Sequence, residues 1–202
     1  MKKIETLLWL GVHANILVLC CVLGGSLFIQ VVLGDFPCPL CMVQRMAMML
    51  CALGQVYILC KINVEGRIRW SDFATGHAMT LFAALAGAAM SIRQILLHII
   101  PPDPGFGMAV FGLHLYTWGL FVFAAEVLAV AINLMIAPRE WSETVPGDKH
   151  LTRFVLAFMV ALLVLFATAT FVEQGFHWIL PDDPVRNELF YDLGIFSAKS
   201  SS

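Results

Sequence analysis

The chain has 202 residues, of which 60% are hydrophobic and only 13% charged, with a mean hydropathy of +0.85 and a net charge of -2. A soluble domain of this size carries about twice that share of charge, and with a slightly acidic balance nothing suggests a nucleic-acid partner. The bilayer is the relevant solvent.

Five apolar runs follow in chain order, at 7–33, 41–60, 77–100, 108–136 and 151–171. Each is near or above the roughly 20 residues an α-helix needs to cross about 30 Å of hydrocarbon. The first run continues to Leu33 without the polar, small-residue cleavage region of a secretory signal and is expected to be a retained span. The whole chain, 1–202, is therefore expected to be one all-α polytopic membrane bundle, with no soluble domain or long-period repeat between the runs.

Basic residues orient the spans. Lys2 and Lys3 precede the first, Lys61, Arg67 and Arg69 follow the second, and Arg139, Lys149 and Arg153 lie between the fourth and fifth. Those regions are expected on the cytoplasmic side. The connections 34–40 and 101–107 carry no Lys or Arg and are expected outside, with the tail 172–202. In a bacterium that places the protein in the inner membrane and these segments in the periplasm, where disulfides persist.

The first outer connection reads GDFPCPLCMVQRM. Pro37 and Pro39 are unsuited to a helix interior, so they stop the first helix and leave Cys38 on an extended loop. Cys41 then opens the second helix, where the positive end of the helix dipole favours a thiolate. Such a pair can close a disulfide and exchange it, as in thioredoxin-type enzymes. Arg45 follows one turn deeper on the same face. A structural disulfide with Arg45 extending to the headgroups is the plainer alternative. Metal binding lacks a second CxxC or nearby His to complete four ligands.

The segment PCPLCMVQR, at the outer end of the second span, resembles the membrane thiol oxidase family of the DsbB type, whose members carry P-C-x-L-C-x-x-x-R there. The likeness of organisation runs through the first four spans and implies a four-helix core; the fifth span and the outward tail stand beside it. It implies reoxidation of a periplasmic DsbA-like thiol oxidant, with electrons passed to a membrane quinone, ubiquinone or menaquinone. By position, Cys38 and Cys41 are then the catalytic pair, joined as a Cys38–Cys41 disulfide, and Arg45 stands beside the quinone. Electrons from such a donor, poised near about -120 mV, suit few acceptors other than a quinone or oxygen. Cys38 is expected to be the outer, more accessible sulfur and Cys41 the one that meets the ring. The competing reading is a non-enzymatic membrane subunit that binds quinone or a partner and keeps a structural disulfide.

Two departures stand out. Typical members carry a second cysteine pair in a long outer loop after the third span, whereas here that connection, PPDPGFGMAVFGLHLYTW, is short and has no cysteine. Cys20, Cys21, Cys51 and Cys60 are expected to be small buried hydrophobes. A two-pair relay therefore cannot run within this chain: either the partner attacks Cys38 directly, or the electron donor differs from the family's usual one. The second departure is the fifth span with its tail, expected to form a short amphipathic segment on the interface and to end in disordered serines.

Among the remaining polar residues, Arg93 and His98 of the third span are candidates for the quinone site, and Glu126 of the fourth for a proton relay or a helix-to-helix hydrogen bond. His114, Tyr116, Trp118, His177 and Trp178 are expected to form an interfacial belt. Met42, Met46, Met48 and Met49 are expected to pack, on a face that would suit an isoprenoid tail.

Overall fold

A computed structural model describes residues 2–141, 148–177 and 184–196. Trp178 and the final serines lie outside the described residues. The described chain is all-α apart from one hairpin: α1 (Lys2–Leu33), α2 (Pro39–Glu65), α3 (Trp70–Leu97), β1 (Ala109–Val110), β2 (Leu113–His114), α4 (Leu115–Ile136), α5 (Lys149–Gln174) and α6 (Glu188–Asp192). Five of these helices are long and apolar enough to span a bilayer.

Cross-helix hydrogen bonds set their directions. Gln30 near the end of α1 faces Arg45 near the start of α2, and Gln44 at that end of α2 faces Gln94 near the end of α3. Asn133 at the end of α4 meets His77 at the start of α3. Helix α5 runs parallel to α1, since Thr152 bonds His13 at one end and Glu173 bonds Gln30 at the other. The starts of α2 and α4 therefore share one end of the bundle with the ends of α1, α3 and α5.

Helix α2 is the centre of the bundle, packed on α3 and α1, and α3 in turn packs on α4. Crossing α2 over α3 requires glycine on both sides. A Cβ on Gly54 would stand 2.6 Å from the Gly76 carbonyl oxygen, and one on Gly76 would meet the Gly54 carbonyl at the same distance. Ile16, Leu19, Leu23, Ile58, Leu59 and Phe73 fill the core with almost no exposure. The outward faces are apolar too: Phe28, Phe82, Leu128, Phe154 and Val164 are all exposed. A hydrophobic exterior around a hydrophobic core is the pattern of a helix bundle solvated by lipid.

Several boundaries differ from those expected. Helix α2 opens at Pro39, not Cys41, because proline at the first helical position gives up an N–H that has no partner there anyway. Helix α3 begins at Trp70 rather than 77, since Ser71 and Asp72 sit comfortably in a first turn. Helix α4 begins at Leu115 rather than 108. Residues 108–114 instead turn back on themselves, with positive φ at Phe111 (52°) and Gly112 (78°) closing the hairpin. Helix α5 runs to Gln174, so Glu173 belongs to the span and not to the tail.

Candidate redox site

Cys38 is the N-cap of α2, extended at φ -70° and ψ 166°, and its sulfur accepts from the Cys41 N–H at 3.2 Å. An N-cap acceptor is normally an oxygen; here a thiol occupies the position. One helical turn brings Cys41 back over it, leaving the two sulfurs 2.9 Å apart as free thiols. From α3, Gln94 points its amide nitrogen at both, 3.2 Å from Cys38 Sγ and 3.3 Å from Cys41 Sγ. Gln44 Nε2 donates to Gln94 Oε1 at 2.7 Å, which fixes the Gln94 amide with its NH₂ toward sulfur.

Charge on Cys38 is strongly favoured. The hydrogen bond from the Cys41 thiol is the chief cause; burial opposes it, while the N–H groups of Cys41 and Leu40 and the Gln94 amide assist, and the thiol is pushed down to about 6. The expected order of accessibility is reversed, however. Cys38 is 6% exposed, closed in by the turn that makes it a cap, whereas Cys41 is half-buried and lines a cavity.

That cavity, of about 360 Å³, lies between α1 and α4 on the face of α2, beneath the hairpin. Its walls are mainly apolar, from Val22, Ile29, Met48, Tyr116 and Val122, with Cys41, Gln44 and Arg45 as the polar side. Exposed Cys21, Phe111 and Trp118 form its rim. Arg45 is 7% exposed; Nη1 donates to Gln30 Oε1 at 2.5 Å, Nη2 to the Ser26 carbonyl at 3.2 Å, and the guanidinium rests over the Phe166 ring.

The other candidates are placed as follows. Arg93 is exposed on α3 and does not line the cavity, because the residue beside it, Gln94, takes the inward face. His98 caps the end of α3, bonds Asp103 at 2.9 Å and stacks on Tyr116 at 5.9 Å, so it reaches the cavity only through that ring. The Gly105 N–H and His98 hold the Asp103 carboxyl below its ordinary range. Glu126 accepts from Asn15 at 2.9 Å, tying α4 to α1. Cys20 and Cys51 are buried as expected, but Cys21 and Cys60 are exposed, since the lipid-facing surface of a helix is as apolar as its core. Trp118 bonds the Val110 carbonyl of the hairpin, and His114, in β2, bonds that of Pro104 in the loop before it. Among the described residues no group of His, Cys, Asp or Glu could hold a metal ion.

Gln30, Gln44, Gln94 and Glu173 were not foreseen. Their signal is a polar side chain inside or just past an apolar run, which in a membrane demands a partner even when uncharged.

A family model, disulfide bond formation protein DsbB, matches residues 8–107, which hold most of α1, all of α2 and α3, and the paired cysteines. Disulfide bond formation protein B of Chromobacterium violaceum is 41% identical over 81 residues, 40% of this chain and 46% of that protein. Disulfide bond formation protein B 1 of Pseudomonas fluorescens is 27% identical over 137 residues, 56% of this chain and 81% of its own length. The Aromatoleum aromaticum protein of the same name is 33% identical over 96 residues, covering 48% and 53%. The alignment thus spans less than half of the first relative and about four-fifths of the second. No solved structure matches the chain. Paired cysteines at the cap of a membrane helix, in a segment matched by this family model and these relatives, place the chain in the DsbB family of disulfide bond formation proteins.

Proposed function

We propose that the protein is a thiol:quinone oxidoreductase of the bacterial inner membrane, taking electrons from a DsbA-like periplasmic dithiol through Cys38 and Cys41 and passing them to ubiquinone or menaquinone. One observation carries this reading. Cys41 and Arg45 face the same apolar cavity while Cys41 Sγ lies 2.9 Å from Cys38 Sγ, so a thiol pair on one side meets a lipid-type pocket on the other.

The cavity residues fit a quinone head. Val22, Tyr116 and Val122 offer apolar walls, Met48 a deformable one, and Arg45 and Gln44 offer N–H donors. When bound, a quinone would supply an acceptor for two electrons and two protons. Arg45 would hold negative charge at the cavity wall. A partner thiolate attacks Cys38 Sγ, and Cys41 leaves as thiolate beside the Gln94 amide. The second partner thiol then displaces Cys38, so the partner leaves oxidised and both cysteines are reduced. Closing the Cys38–Cys41 disulfide again releases two electrons and two protons toward the cavity. Gln94 reaches both sulfurs and so accompanies the charge from one to the other.

The basic ends of the helices support the orientation. Lys3, Arg67, Arg69, Arg139, Lys149 and Arg153 are exposed at the end of the bundle opposite the cysteines, which supports an outward CxxC pair.

The test is quinone reduction by the reduced protein in nanodiscs, comparing the native chain with Arg45→Met. Losing a charged hydrogen-bond donor at a dry site costs about 1.5–3 kcal/mol, hence roughly ten- to a hundred-fold in apparent quinone affinity or rate. The disulfide should still form. Unchanged quinone dependence, or a pair potential below about -300 mV, the range of structural disulfides, would refute the activity.

A further inference from the structure

The partners of the buried Arg45 guanidinium, the Gln30 and Ser26 oxygens and the Phe166 ring, are all uncharged. Removing a cation from water costs several kcal/mol even after relaxation, and cations at membrane depth pair with an anion or a water-filled space. The group placed to compensate it is a carboxyl on α5. Gln30 uses its carbonyl oxygen for Arg45 and its amide nitrogen for Glu173 Oε2, at 2.8 Å. Glu173 is 1% exposed, and its other oxygen has no hydrogen-bond partner. Gln30 is thus a neutral spacer that fixes a buried cation and a buried carboxyl at the two ends of one amide. Both Phe166 and Glu173 lie beyond residues 8–107, the segment the family model matches.

We propose that Glu173 is a positioning residue of the redox site, holding Arg45 through Gln30 and tempering its field at the paired sulfurs, so that the fifth helix is a working part of the centre and not only an added span. This rests on Arg45 being the cation of the proposed site. Arg45 and Glu173 then act on the Cys38 thiolate with opposite signs. The other charged or titratable groups within reach are Asp35 on the outer loop, Cys41 on α2 and Tyr116 on α4; α3 contributes the neutral Gln94. Neutralising Glu173 leaves the Arg45 field less opposed and favours the thiolate. Neutralising Arg45 disfavours it.

The experiment follows alkylation of Cys38 by iodoacetamide against pH, read by mass spectrometry, in the reduced full-length chain in nanodiscs. The variants are Glu173→Gln, Glu173→Asp, Arg45→Met and the double Arg45→Met/Glu173→Gln. Glu173→Gln should move the midpoint to lower pH, giving about three- to tenfold more thiolate below the native midpoint. Arg45→Met should move it up, and Glu173→Asp, which keeps the charge, should stay near native. The double variant leaves no unpaired buried charge, so it keeps the test open if a single variant fails to assemble; its midpoint should fall back between those of the two single changes, near native. An unmoved or raised midpoint in Glu173→Gln, or a double variant displaced as far as Arg45→Met, overturns the proposal. The readout needs no acceptor. A Glu173→Gln shift in a chain that reduces no quinone upholds this inference while sinking the proposed activity, and an unmoved midpoint in an active chain does the reverse.

Discussion

Gln94 places its amide nitrogen 3.2 Å from Cys38 Sγ, on a sulfur that also accepts from the Cys41 N–H. The two residues come from different helices, and neither would hold the geometry alone. The helix cap fixes the sulfur, and Gln44 fixes the amide.

Gln94→Leu keeps the bulk of the side chain and removes the donor. A hydrogen bond to a charged group is worth about 1.5–3 kcal/mol, so the Cys38 thiolate should become at least about tenfold scarcer at neutral pH. With the reduced state less stable, the pair should become less oxidising, by about 30 mV for each tenfold change. Redox titration against glutathione measures this. An unaltered potential would remove Gln94 from the site.

The pH dependence follows from Cys38, whose thiol is held down to about 6. A free thiol titrates near about 8.5, so the folded reduced chain binds fewer protons than the unfolded chain between these values. Thermal stability of the reduced protein should be highest above about pH 8.5, decline as pH falls toward 6, and flatten below it. The potential of the pair should change by about 60 mV per pH unit below that point and about 30 mV above, because only one proton then accompanies two electrons. A constant slope from pH 5 to pH 8 would contradict the assignment.

The spans were legible because hydropathy reports lipid contact directly, and the paired cysteines because proline and helix geometry act locally. The hairpin was not. Met108 to Leu113 is as apolar as any span, and only Gly112 within it and Gly105 and Gly107 before it, each at positive φ, mark the turn. The Gln44–Gln94 and Gln30–Glu173 links join residues 50 and 143 apart in sequence. Nothing along one helix reveals which amide on another it will meet. Glu173 was further obscured by lying just past the end of the fifth apolar run, where a helix and a polar tail look alike in composition.

Gly54→Ala should destabilise the bundle without touching the cysteines. Its Cβ would sit 2.5 Å from Thr80 Oγ1, 2.6 Å from the Gly76 carbonyl oxygen and 2.8 Å from the Thr80 nitrogen, two of them backbone atoms that move only if α2 and α3 separate. Overpacking of this kind costs about 1–3 kcal/mol or more. Thermal unfolding in detergent should show it, whereas Gly11→Ala, where a Cβ meets nothing within 4 Å, should match the native chain. Equal melting of both variants would mean the helices are not in close contact at this crossing.

The sulfur that a partner attacks is open to direct test. Cys38 lies at the end of the outer loop but is 6% exposed, and the loop is pinned where the Asp35 carboxylate accepts from the Met108 N–H at 2.9 Å. Cys41 is the more open of the two, yet what it opens onto is the apolar cavity, where a soluble protein has no entry. In Cys41→Ser no resolving thiol remains on this chain, so the Cys38 thiolate should attack the disulfide form of a DsbA-like protein and be captured as a mixed disulfide, the partner's second sulfur leaving as thiolate. Cys38→Ser should capture none. Breaking the pin by Asp35→Ala should speed capture in the Cys41→Ser background severalfold, because loop opening precedes attack, and should leave the final yield unchanged. Non-reducing gels with mass spectrometry of the adduct read all three. Capture through Cys41 would place the partner's approach on the cavity side and reverse the proposed order of the two sulfurs. Capture by neither variant, with quinone still reduced by the native chain, would assign the donor role to a small thiol able to reach a buried sulfur.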